Sequence, residues 1–137
     1  MRRVSILLLL LLAAACNSPA GLAGDRFVLV SINNSALPLA YPGFPAIEVT
    51  GGEVVLRTDD TLDETLEVRC TNPRPPGTTC QVPPGGLLQR RGTYSRSGGW
   101  VRLANVEYAT SFTNNSVVIT FGSVSQGLPP AVHEYRR

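Results

Sequence analysis

Residues 59–71 read DDTLDETLEVRCT, and this stretch decides the fold. The acidic run Asp59–Glu64 predicts a solvated hairpin tip. After it, Leu66, Val68 and Cys70 alternate with Glu67, Arg69 and Thr71. An apolar/polar alternation of period two is a strand with one face on a core and one in water. No helix can use that spacing.

Upstream the same period recurs. In Glu53–Thr58, Val54 and Leu56 face one way while Glu53, Val55 and Arg57 face the other. Gly51-Gly52 reads as a break separating this strand from Ile47–Thr50. Phe27–Ile32 (FVLVSI) is β-branched and aromatic on both faces, which predicts a strand covered on two sides where it begins. Asn33-Asn34 supplies the left-handed backbone of a tight turn. Ala36–Ala46 (ALPLAYPGFPA) carries three prolines and a glycine, so it is expected to cross the fold irregularly and plug one end. Its Tyr41 and Phe44 are candidates for a ligand mouth, although aromatics there more often cap a core.

Downstream, TNPRPPGTT separates Cys70 from Cys80, and Pro83–Gly86 ends that excursion. Leu87–Tyr94 and Trp100–Leu103 form a hairpin around Ser95–Gly99. Tyr108–Thr113 and Ser116–Phe121 form another around Asn114-Asn115, with Val117, Ile119 and Phe121 on one face. A Gly127–Pro130 loop precedes Val132–Arg136. No stretch of ten residues has apolar positions at helical spacing, and the chain holds 13 glycines and 11 prolines. The expected domain is all-β: about eight short antiparallel strands. Short hairpins leave no connection long enough for a Greek-key return, which favours a small up-and-down barrel over a sandwich.

The N-terminus has a different logic. Arg2-Arg3 precede an apolar run, and Leu7–Cys16 is LLLLLLAAAC. Basic tip, apolar run and small residues are the layout of a secretory signal. Val4–Ala15 is too short for a bilayer span, which needs about 20 residues. With its terminal cysteine the segment resembles a bacterial lipoprotein signal, which implies cleavage before Cys16 and lipidation of that thiol. A conventional signal cut near Ala15 is the competing reading. It would leave the third cysteine without a use. The expected organisation is signal 1–15, lipidated tether 16–24 and barrel domain 25–137. Asn17–Gly24 (NSPAGLAG) has a tether's composition and spans at most ~28 Å. Asn17 is not the aspartate that retains lipoproteins in the inner membrane under the best-studied sorting rule. The default address is therefore the outer membrane, on its periplasmic or surface face.

Without the signal, 122 residues remain, enough for one domain with one core. All twelve basic residues are arginine and two lie in the signal, leaving ten against ten acidic side chains. That balance, with no long basic run, gives no nucleic-acid footprint. Outside the cytoplasm Cys70 and Cys80 are expected to form a disulfide. A zinc site would need two more ligands, and the only histidine, His133, is remote in sequence.

Four segments carry a resemblance. FVLVSINNSALPLA (27–40), GGEVVLRTDDT (51–61), GTYSRSGGWVRL (92–103) and EYRR (134–137) resemble the small lipocalin-like barrel domains of bacterial lipoproteins, with Asn34 and Asp60 standing where that family usually has glycine. The resemblance implies the barrel and no catalytic residue.

Chemistry is sparse. There is no Gly-x-Ser-x-Gly, and His133 beside Glu134 reads as a solvated surface residue, so no enzyme is expected. Asp59, Asp60, Asp63 and Glu64 lack the ligand order of a calcium loop, and neither metal nor cofactor is expected. Arg57, Arg69, Arg90, Arg91, Arg96 and Arg102 alternate with Glu53, Glu67 and Glu107, which predicts cross-strand pairing on an outer face. The expected function is a lipid-anchored, non-catalytic envelope module holding a small apolar ligand, with Tyr41, Phe44, Tyr94 and Trp100 as lining candidates. The alternative is an accessory barrel, filled solid, that docks an envelope protein.

Overall fold

The computed structural model describes residues 24–122 and 130–137. The signal, Cys16 and all of the tether before Gly24 lie outside the described residues, as do residues 127–129 of the last loop. Ten strands follow one another: β1 (Gly24–Ile32), β2 (Ser35–Ala36), β3 (Leu39–Tyr41), β4 (Phe44–Arg57), β5 (Thr61–Cys70), β6 (Leu87–Ser95), β7 (Trp100–Leu103), β8 (Val106–Phe112), β9 (Ser116–Phe121) and β10 (Ala131–Arg136). A 3-10 turn, Pro84–Gly86, precedes β6.

Eight of them close a ring. From β4 to β10 each strand pairs antiparallel with the next, β10 pairs with β1, and β1 returns to β4 with Phe27 opposite Val54. The result is an up-and-down barrel, with β2 and β3 as short additions on β1 and β4. Closure leaves none of the eight ring strands as a free edge.

The interior is filled by alternate residues. Phe27, Leu29, Val54, Leu56, Leu62, Leu66, Val101, Leu103, Val117, Ile119 and Tyr135 are all buried. Parity changes only where a bulge inserts a residue. Between Leu29 and Ser31 the β1/β10 register shifts, so Phe27, Leu29 and Ile32 all turn inward. β1 is therefore covered on one side only, contrary to the sequence expectation: Val28 and Val30 are 51% and 38% exposed.

Gly51-Gly52 likewise is a bend and not a break. β4 runs unbroken through it, with a register shift between Val49 and Gly51. A Cβ at Gly52 would stand 2.7 Å from the Thr65 carbonyl oxygen, so only glycine lets the two backbones close there. At Gly92 the approach is tighter still, 1.9 Å to the Arg102 carbonyl oxygen.

The acidic hairpin tip is shorter than its composition suggests. It ends at Asp60, with φ 62°, and β5 begins at Thr61. Asp63 and Glu64 are strand residues on opposite faces, and Glu64 is buried. Asn33 and Asn34 turn the β1/β2 hairpin with φ of 51° and 62°. Ala104-Asn105 makes a matching turn between β7 and β8, with φ of 48° and 64°, at a place where alanine hides the signal.

The outer arginines pair across strands. Arg26 meets Glu53 at 3.2 Å, Arg102 meets Glu107 at 3.1 Å, and Arg69 meets Glu48 and not Glu67. Asp63 lies between Arg57 and Arg91, whose hydrogen bonds hold its carboxyl down at about 2. Arg90 departs from this pattern, because its strand parity sends it inward.

Candidate functional site: the barrel mouth

The ring has two unlike ends. The base carries Gly24, the tips of the β4/β5, β6/β7 and β8/β9 hairpins, and Arg137. The mouth carries the β3/β4 hairpin, which replaces the irregular crossing expected over Ala36–Ala46 because Leu39–Tyr41 pairs back onto β4, together with the Cys70–Cys80 loop and the β7/β8 turn.

Charged and aromatic groups close the base. Asp25 meets Arg96 at 3.2 Å and Arg137 at 2.5 Å, and those guanidiniums sit 5.8 Å over Phe112 and 5.3 Å over Phe27 respectively. Tyr94, buried beneath them, donates a 2.6 Å hydrogen bond to the Arg57 carbonyl.

At the mouth Leu37, Leu39 and Tyr41 lie against the core. Cys70 and Cys80 are bonded, and Thr71 N–H donates to the Ala46 carbonyl at 3.0 Å, tying the proline loop to the start of β4. Between these parts lies a cavity of about 310 Å³, lined by Tyr41, Phe44, Ile47, Val68, Leu88 and Arg90. Hollows of about 560 to 700 Å³ on the base and outer wall are larger and lined mainly by charged and polar side chains. Of these hollows among the described residues, the mouth cavity is the one with mainly apolar walls, as small-molecule sites have, and Arg90 joins it to a set of inward polar groups.

Those polar groups form a buried set under the cavity. Strand parity turns Glu64, Arg90, His133 and Tyr135 inward from β5, β6 and β10. Tyr135 donates to Glu64 Oε1, and His133 Nδ1 stands 3.2 Å from the Tyr135 hydroxyl and 3.4 Å from the same carboxylate oxygen. Arg90 Nη2 meets Glu64 Oε2 as an ion pair without hydrogen-bond alignment. Burial pushes the Glu64 carboxyl up, but the contacts with His133, Arg90 and Tyr135 outweigh it and its pKa falls below the ordinary value. Tyr135 is driven well above the ordinary phenol by burial and by the Glu64 charge. Phe121 packs against the set: the Arg90 guanidinium carbon lies 4.5 Å from its ring centre, and so does the His133 ring centre. Arg90 Nε and His133 Nε2 have no hydrogen-bond partner among the described residues.

The four lining candidates separate. Tyr41 and Phe44 meet at the mouth with ring centres 6.1 Å apart, and the edge of Tyr41 faces His133 at 5.7 Å. Tyr94 belongs to the base, at the other end of the ring. Trp100 projects from the outer wall, with Arg102 5.3 Å over its ring, because the neighbouring Val101 takes the inward position. Ile47, Val68, Leu88 and Arg90 complete the cavity and were missed. Val68 was already legible as an inward residue, whereas Leu88 and Arg90 sit in LLQRRGTY, where charge masks parity.

His133 is not the solvated residue that its place beside Glu134 suggests. Alternation buries Ala131, His133 and Tyr135 and exposes the other face of β10. Among the described residues no group of three or more histidine, cysteine or acidic side chains could hold a metal ion. No protein-family model, curated protein or solved structure matches the chain.

Proposed function

We propose that the protein is a lipid-anchored, lipocalin-like barrel of the bacterial cell envelope that binds a small apolar ligand in its mouth and does not transform it. The observation that carries the binding reading is the 310 Å³ apolar cavity at the end opposite Gly24. At roughly 30 Å³ for each water-sized group, it holds about ten heavy atoms. Among the described residues the interior below it is packed with buried side chains, so the ligand occupies the mouth and not a deep lumen. The Leu7–Cys16 pattern supports the anchor.

That same filled interior favours the second reading, an accessory barrel that docks an envelope protein. Native mass spectrometry of protein purified from its own membrane decides between them. A co-purified small molecule, lost on Val68→Trp substitution in the cavity wall, is expected. A bare protein that instead carries a stoichiometric protein partner would overturn the ligand reading. Metabolic labelling with a fatty-acid probe tests the anchor, with Cys16→Ser abolishing the label.

A further inference from the structure

The mouth leaves apolar surface in water. Among the described residues five large hydrophobic side chains are exposed, and three of them belong to this end: Phe44 at 49%, Leu87 at 44% and Leu88 at 39%. The other two, Val28 and Val30, lie on the outer face of β1. Phe44 and Leu88 also line the cavity, so the cavity wall and the exposed strip share side chains.

Leu87 carries the strip over the rim. β6 begins there, straight after the 71–86 excursion, and consecutive strand residues point to opposite faces. Leu88 shares the inward parity of Arg90 and Tyr94, which puts Leu87 on the outer wall of the ring. There the strip is narrow. Glu67 is the cross-strand neighbour of Leu87, and Gln89 and Arg91 follow it on the same face. A stable protein partner covers about 800 Å² on each side, more than three side chains bounded by polar groups can offer. A single flexible chain needs no more width than one side chain, and it can turn over a rim. The cavity itself holds only about ten heavy atoms, so a longer chain has to leave it, and Leu88 and Leu87 are the apolar surface that adjoins it.

We propose that the mouth takes a single-chain amphiphile longer than the cavity holds, whose surplus methylenes cross the rim over Leu88 and Leu87, so that these two leucines set the preference for chain length. This rests on the mouth being a ligand site. The barrel closes within residues 24–137, so the chain from residue 16 onward is the protein to test, with Cys16→Ser keeping it free of lipid. The measurement is calorimetric titration with octyl, decyl, dodecyl and tetradecyl maltoside, each below its micellar concentration. Their head of two sugar rings is uncharged and too large for the cavity, so the tail enters first and only chain length varies. Beyond decyl, each further pair of methylenes is expected to tighten binding about fourfold, which is half the free energy of a fully buried pair. Equal affinity from decyl onward would overturn the role of the rim and leave the ligand site standing. Binding by none of the four would overturn both.

Leu87→Ser assigns the rim. It removes apolar surface outside the cavity wall, and the gain from decyl to tetradecyl, about fifteenfold in the unaltered barrel, should fall to about fourfold or less. A folded variant that keeps the whole gain would overturn the proposal. Should that variant fail to fold, the series measured with leucine in place remains decisive.

Discussion

The two ends of one barrel answer the same physical problem in opposite ways. A closed sheet must cap its core at both openings. The base does so with short hairpins and exposed charges: Asp25 bridges Arg96 and Arg137 over Phe112 and Phe27, and each charge keeps a face in water. The mouth uses the β3/β4 hairpin and the long excursion 71–86, and sinks its charges beneath them. Polar closure at the surface leaves nothing unsatisfied. Buried polar closure leaves side-chain atoms of Glu64, Thr71, Arg90 and His133 without hydrogen-bond partners, a cost of about 1–3 kcal/mol for a group that stays unsatisfied. A fold that tolerates such a cost at one end only has the means to recover it by binding.

The most direct way to break this contrast is Glu64→Leu. It leaves the inward Arg90 charge and the Tyr135 hydroxyl without an acceptor, and a loss of about 3–5 kcal/mol in denaturant unfolding is expected. Adding Arg90→Met should return part of that loss, because the two charges then vanish together. The double serine variant of Cys70 and Cys80 should cost about 2–3 kcal/mol. Amide exchange should quicken around the mouth and stay unchanged in the hairpins of the base. At the base, Tyr94→Phe removes one hydrogen bond to a carbonyl, and about 1 kcal/mol is expected in the same unfolding measurement.

Surface charges should matter least. Asp25→Asn is expected to cost under about 1 kcal/mol, and the cost should shrink in high salt. Asp63, on the wall between the ends, offers a pH control. Its pKa is lowered from 3.8 to about 2, so its contribution is present above 3.8 and lost as pH falls through about 2. Asp63→Asn should flatten the stability curve in that window alone. A variant still as acid-sensitive there would place the lost stabilisation elsewhere.

What could be read in the sequence was whatever a two-residue period expresses locally. Leu66 and Val68, Val54 and Leu56, and Val117, Ile119 and Phe121 all face inward as their spacing predicts, and eight strands do close. Parity failed where something other than alternation set the face. One extra residue in β1 brings Ile32 to the side of Phe27 and Leu29, and no composition marks it. Glu64 lies in an acidic run typical of turns, and the groups that let it stay buried arrive from β6 and β10. His133 was misread for the same reason. Tyr94 and Trp100 share a hairpin yet stand on opposite faces, so aromatic content alone cannot assemble a site. Tyr41 and Phe44 do stand at an end of the fold, but on a β3/β4 hairpin and not on the irregular crossing that the prolines and glycine suggested.

Gly24 and Arg137 lie together at the base, where Arg137 reaches Asp25 beside the first residue of β1. The polypeptide thus enters and leaves on one side, like a plug with both leads at its back. A fluorophore or affinity handle fused after Arg137 would therefore sit beside Gly24 and leave the opposite opening clear.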